Sequence, residues 1–143
     1  NIWGKGWEEI IPFLAQDKVK LRWVNNERLG EVMQKSKIIV NDHWPDMRKE
    51  GFVSMKTFEF MANKVFFITD NVYRIEEISK DIVCYDAYKD NINTKNNQTL
   101  ITLINHYNKE YKKDKLVNIT NKLYVRYKEI YEEAINTLKE ILR

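Results

Sequence analysis

The sequence predicts an α/β fold: a parallel sheet with helices on both faces, followed by a helical carboxyl-terminal tail. Three observations predict it. Short β-branched or aromatic runs alternate with stretches of helical periodicity from Val19 to Tyr85. The connections between those runs are long enough to cross over from one parallel strand to the next. After Tyr85 the strand-like runs stop, and residues 95–143 read as mainly helical.

The elements follow in chain order. Asn1-Ile2-Trp3-Gly4 reads as the tail of a strand. A domain rarely opens in mid-strand, and no Met precedes it, so the chain is expected to be a piece of a longer protein. Val19-Lys20-Leu21-Arg22-Trp23-Val24 is β-branched and alternating, as a strand should be. Asn25-Asn26 offers an N-cap for a helix over Glu27–Gln34, with Leu29, Val32 and Met33 on one face. Lys37-Ile38-Ile39-Val40-Asn41 contains a continuous apolar run, the pattern of a strand buried on both faces. A polar loop, Asp42–Val53, separates it from Ser54, which stands where an N-cap belongs. Met55, Phe58, Met61 and Ala62 then recur at helical spacing. Val65–Thr69 is a third strand and Ile82–Tyr85 a fourth, with a short helical stretch expected at Ile75–Ser79. Asn96–Tyr111, Lys115–Leu123 and Tyr127–Leu142 read as three helices. The last carries Ile130, Ala134, Ile135, Leu138, Ile141 and Leu142 on one stripe, and its tyrosines read as core or edge packing.

Composition narrows the function classes. A length of 143 residues suits a single domain spanning 1–143. With 43% hydrophobic and 31% charged residues the chain is globular and soluble in type, not a disordered tail. Its apolar runs, such as Val65–Thr69, fall far short of the roughly 20 residues a membrane helix needs. Cys84 stands alone, which excludes an internal disulfide and a Cys-based zinc site. The chain opens with no secretory signal, so a cytoplasmic setting is expected. The net charge of +3 spreads 24 basic residues among 21 acidic ones, and no nucleic-acid partner is expected. His43 and His106 lie far apart, and no Asp-x-Asp pair is present to grip a nucleotide-bound divalent ion, so neither a metal nor a cofactor is expected. No Gly-x-Ser-x-Gly motif or Cys/His nucleophile setting occurs.

In parallel sheets ligands bind outside the carboxyl ends of the strands. Those ends are Gly4–Trp7, Asn25-Asn26, Asp42–Val53 and Asp70–Arg74. Gly4-Lys5-Gly6-Trp7 fits either a tight turn or a phosphate site at the helix expected to start near Glu8. Gly51 allows close backbone approach, and the N–H groups near Ser54–Lys56 suit a diphosphate. Lys56 in a first helical turn opposes the helix dipole and calls for an anionic neighbour, which a ligand phosphate would supply. Glu59, flanked by Phe58 and Phe60, is either a solvated helix residue or a carboxylate placed to accept two ribose hydroxyls.

Taken in order, five segments resemble group 1 glycosyltransferases, and most of all their spore-maturation-type branch. They are Asn41-Asp42-His43-Trp44-Pro45-Asp46-Met47, Gly51-Phe52-Val53-Ser54, Phe58-Glu59-Phe60-Met61-Ala62, Phe67-Ile68-Thr69-Asp70 and Glu76-Glu77. Gly4-Lys5-Gly6-Trp7 and Arg22-Trp23-Val24 fit the same pattern upstream, so the likeness covers roughly residues 2–85. It implies the carboxyl-terminal, Rossmann-like half of a two-domain GT-B enzyme, the half that binds a nucleotide-diphosphate sugar donor. The related family 4 enzymes carry two glutamates with seven residues between them; here Glu50 and Glu59 have eight between them, a departure from that pattern. The resemblance assigns Glu59 to the ribose, Glu50 to the transferred sugar, and Gly51, Phe52, Val53, Ser54 and Lys56 to the donor phosphates. It adds Gly4, Lys5, Gly6, Asp46 and Met47 to the donor-binding positions, with Glu50 and Lys56 as the catalytic ones. It implies metal-independent transfer, in which loop N–H groups and lysines stabilise the leaving nucleoside diphosphate. The related enzymes retain anomeric configuration. The implied partners are the sugar nucleotide, an amino-terminal GT-B domain, and a peripheral membrane contact through the full-length protein.

Two alternatives to an enzyme stand beside it. One is a non-catalytic Rossmann-like ligand-binding module, since the fold alone serves many functions. A receiver of that kind needs acids at its first strand end, and Asn1–Gly4 has none. The other is a protein-interaction module built on the helices of residues 96–143.

Overall fold

A computed structural model describes residues 2–3, 21–22, 24–86, 98–110 and 114–142. The chain divides into two compact units, Asn1–Val32 and Met33–Arg143. In the first, strands β1 (Ile2–Trp3) and β2 (Leu21–Arg22) pair in parallel, with Ile2 opposite Leu21 and Trp3 opposite Arg22. The helix expected near Glu8 lies outside the described residues. Helix α1 (Asn26–Lys35) begins where the N–H of Arg28 donates to the Asn25 carbonyl at 2.9 Å. Glu27 in its first turn and Lys35 in its last complement the helix dipole.

The second unit is built on a three-stranded parallel sheet in the order β3 (Ile39–Val40), β4 (Phe67–Asp70), β5 (Val83–Tyr85). Ile39 lies opposite Phe67, and Ile68 opposite Val83. All four residues of β4 are buried, because a central strand must find cover on both faces. Alternation sends Phe66 and Ile68 to one face and Phe67 to the other. Phe66, Ile68, Tyr85 and Leu116 form one core cluster, against which Leu100, Leu103, Ile104 and Tyr107 of α4 (Gln98–Glu110) pack. The rings of Phe66 and Tyr107 lie 4.7 Å apart. On the opposite face Phe60 of α3 (Met55–Ala62) meets Phe67 at 5.3 Å. Each such buried ring stabilises the fold by about 1.5–3 kcal/mol. The architecture is α/β and Rossmann-like, as the alternating pattern predicts.

Three expectations are corrected. β3 is not buried on both faces: Ile39 is half-buried and Val40 is 44% exposed. It is the edge of this sheet, while β4 lies between two neighbours. The buried face of α3 is Thr57, Phe60 and Met61, whereas Met55 at its start is 71% exposed. Positions 57, 60 and 61 share one helical face, and that face meets the Phe67 side of the sheet. The short helical stretch expected at Ile75–Ser79 is present as a 3-10 turn over Ile75–Glu77. The last two expected helices are one, α5 (Asp114–Ile141), of 28 residues. Tyr124-Val125-Arg126 between them includes no Gly or Pro, so nothing interrupts the hydrogen-bond ladder.

The apolar stripe at the end of α5 lies outside the core. The buried residues of this helix are Leu116, Thr120 and Leu123. Arg126 Nε donates to the Ile78 carbonyl at 2.9 Å, and the Lys64 ammonium lies 4.3 Å from the Tyr124 ring centre. Beyond that anchor Leu138, Ile141 and Leu142 are exposed. The reason is length: α5 runs about 42 Å at 1.5 Å per residue, far longer than strands of this size, at about 3.3 Å per residue, can cover. No helix among the described residues is long and apolar enough to cross a membrane.

Candidate functional site

The segment Asp42–Val53, expected as a loop, leads from the carboxyl end of β3 to the start of α3. It contains a short helix, α2 (Pro45–Glu50). Pro45 opens the helix, where its missing N–H costs nothing. Gly51 closes it in the left-handed region at φ 77°, with its N–H donating to the Met47 carbonyl. The Phe52 N–H donates to the same carbonyl at 2.9 Å, and the Tyr73 N–H donates to the Arg48 carbonyl at 2.9 Å. The chain then reaches Ser54, whose hydroxyl accepts the Lys56 N–H at 3.2 Å and caps α3.

Asp70, the last residue of β4, is fully buried. A carboxylate there must be surrounded by donors or it would destabilise the fold. Four are present. The His43 N–H and Arg48 Nη1 each donate to Oδ2 at 3.1 Å. The His43 ring Nδ1 lies 2.5 Å from Oδ1, and the Thr69 hydroxyl donates to Oδ1 at 3.1 Å. Arg48 Nη1 also donates to Asp42 Oδ1 at 3.0 Å and to the His43 carbonyl at 2.6 Å. Asp42 Oδ1 accepts the Tyr85 hydroxyl at 2.8 Å, which links β5 to the same cluster. On its far side the His43 ring accepts the Ser54 N–H through Nε2 at 2.9 Å.

Burial would raise the Asp70 carboxyl, but the hydrogen bonds from His43 and Arg48 outweigh it and hold it below the ordinary carboxylate range. Asp42 is moved the other way: burial and the neighbouring Asp70 charge raise it in spite of Tyr85 and Arg48. The Tyr85 phenol is raised by burial and then by Asp42, so it stays protonated and donates. The cluster is therefore a hydrogen-bonded scaffold at the rim of the sheet.

The sequence-derived site residues sit around this scaffold. Gly51, Phe52, Val53 and Ser54 lead from α2 into α3, with Phe52 exposed and Val53 half-buried. Lys56 and Glu59 lie on successive turns of α3, both half-exposed, with Nζ and Oε2 3.0 Å apart. The anionic neighbour expected for Lys56 is thus Glu59. Glu50, at the end of α2, is exposed beside Lys49. Asp46 is exposed in the first turn of α2, and Met47 contributes the carbonyl that closes this helix. The N–H of Ser54 is engaged by His43 and that of Lys56 by the Ser54 hydroxyl. Gly4, Lys5 and Gly6 lie outside the described residues.

Asp70, Arg48 and His43 are not among the site residues expected from the sequence. A signal for Asp70 existed: an acid closing the buried run Phe67-Ile68-Thr69 has to find donors, and the segment after the neighbouring strand supplies them. Among the described residues no group of three or more His, Cys, Asp or Glu side chains is arranged to hold a metal ion.

A family model described as glycosyl transferase-like matches residues 1–115. No curated protein and no solved structure matches the chain.

Proposed function

The chain belongs to the glycosyl transferase-like family, and from that premise we propose that it is a donor-binding domain of the GT-B, group 1 type. It binds a nucleotide-diphosphate sugar for metal-independent glycosyl transfer. One observation carries the proposal: α3 starts at the carboxyl rim of the parallel sheet, tied there through Ser54 and His43 to Asp70, and presents Lys56 and Glu59 half-exposed. A rim of this kind is where parallel sheets take ligands.

In the proposed transfer the oxygen of an acceptor hydroxyl bonds to the anomeric carbon as the bond from that carbon to the diphosphate oxygen breaks, and the hydroxyl proton is released to water. The nucleoside diphosphate leaves with an added negative charge. Lys56, freed from Glu59, offsets that charge together with the positive end of α3. Glu59 takes the ribose hydroxyls. Glu50 faces the transferred sugar, and Gly51 to Val53 form the wall beside the phosphates. Asp46, Met47 and Gly4-Lys5-Gly6 complete the donor-binding set. The amino-terminal domain implied by the group supplies the acceptor site and the membrane contact.

Titration calorimetry with UDP-, GDP- and other nucleotide sugars tests this. Binding of one of them is expected, and Glu59→Gln should weaken it about tenfold or more, the value of a lost hydrogen bond to a charged group. The unfolding midpoint should hardly move, because an exposed pair such as Lys56–Glu59 contributes under about 1 kcal/mol. No binding to any nucleotide sugar at millimolar concentration would overturn the proposal.

A second function, a protein-interaction module on the helical tail, is favoured by the exposed apolar residues Tyr131, Leu138, Ile141 and Leu142 of α5 and its end. It is compatible with donor binding at the other site.

A further inference from the structure

His43 is 3% exposed, yet both of its ring nitrogens are engaged. Nε2 accepts the Ser54 N–H at 2.9 Å. A nitrogen that accepts carries no proton, so the ring is neutral and its proton sits on Nδ1, directed at Asp70 Oδ1. Asp70 is itself held by the His43 backbone N–H, Arg48 and Thr69, which leaves it no freedom to turn away. The imidazole is therefore a rigid strut. One end rests on the carboxyl end of β4, and the other fixes the last residue before α3.

We propose that His43 is the positioning residue of the donor site, with Asp70 setting its tautomer. The strut determines how far the first turn of α3 stands from the sheet rim, and so where Lys56 and Glu59 meet the ligand. This rests on the reading that this turn takes the diphosphate and ribose of a sugar nucleotide. Both side chains ride on one rigid helix. A shift of its start by a fraction of an ångström displaces both contacts together, and binding sites tolerate such displacement poorly.

The two conservative amides separate this role from general stability. His43→Asn places its amide near Nδ1 and keeps a donor for Asp70, but has nothing to accept the Ser54 N–H. His43→Gln reaches the Nε2 position and accepts that N–H. Calorimetry with UDP and GDP on the full chain should show His43→Gln within about threefold of the parent and His43→Asn about tenfold or more weaker. Amide exchange at Ser54 should quicken in His43→Asn and recover in His43→Gln. Parental affinity in His43→Asn, or an equal loss in both variants, overturns the positioning role alone. A parent chain that binds neither UDP nor GDP overturns the donor reading and this role with it. Should neither variant fold, nitrogen NMR of the parent decides: Nε2 must give the resonance of an unprotonated ring nitrogen, and a protonated Nε2 overturns the strut.

Discussion

A Cβ placed on Gly51 would stand 3.0 Å from the carbonyl oxygen of Tyr73. Backbone cannot move aside as a flexible side chain can. The residue also sits at φ 77°, where a side chain adds strain. Gly51→Ala is therefore expected to destabilise the protein by about 1–3 kcal/mol. Urea unfolding checks it, and an unchanged midpoint would show that α2 and the Tyr73 backbone are not tightly held together.

Asp70 ties together β4, α2 and the approach to α3. Asp70→Ala leaves Arg48 and His43 facing a space without an acceptor, and should cost about 3–5 kcal/mol, as broken buried pairs do. Its pH dependence has a definite sign. The folded-state carboxyl titrates below its unfolded value of about 3.9, so its stabilisation is complete above that pH. It is lost as pH falls through the folded value. Asp42, raised in the fold, contributes the opposite slope: it opposes folding above the ordinary carboxylate range and ceases to do so on acidification. Asp70→Asn should therefore lose less of its remaining stability than the parent does below about pH 4. A parallel decline in both proteins would argue against a depressed Asp70.

The two halves of α5 should respond differently to the same change. Leu123 is 1% exposed and Leu138 is 53% exposed. Leu123→Ala is expected to cost about 2–5 kcal/mol, and Leu138→Ala less than about 0.5 kcal/mol. Thermal unfolding of the two variants measures it. A large loss at Leu138 would mean that this stripe is covered in solution by another surface.

Cys84 should be chemically quiet. Burial, with the charges of Asp70 and Glu76, pushes its thiol up to about 11. The thiolate is the reactive form, so alkylation of the folded protein near neutral pH should run at least about a hundredfold slower than of the unfolded chain. Equal rates would place the thiol in open solvent.

Much of the fold was legible in particular residues. Val65–Thr69 announced a strand, Ser54 announced the start of α3, and the long crossovers announced parallel pairing, because these are local or periodic signals. The exposure of the end of α5 is not legible in this way, since an apolar stripe looks the same whether or not a partner covers it. The site divides in the same way. Gly51 and Ser54 mark their turn and cap in the sequence itself. The partnership of Asp70 with His43, 27 positions apart, does not.

What the sequence determined by itself was the order of strands and helices, the turn at Gly51 and the cap at Ser54, since each depends on neighbouring residues and backbone conformation. The tertiary structure alone decided that Asp70 lies buried under His43 and Arg48, that Lys56 meets Glu59, and that the last turns of α5 stand clear of the core. The physical reason is that a buried charge and its donors are brought together by strand pairing across distant segments, and no local rule records which ones will meet.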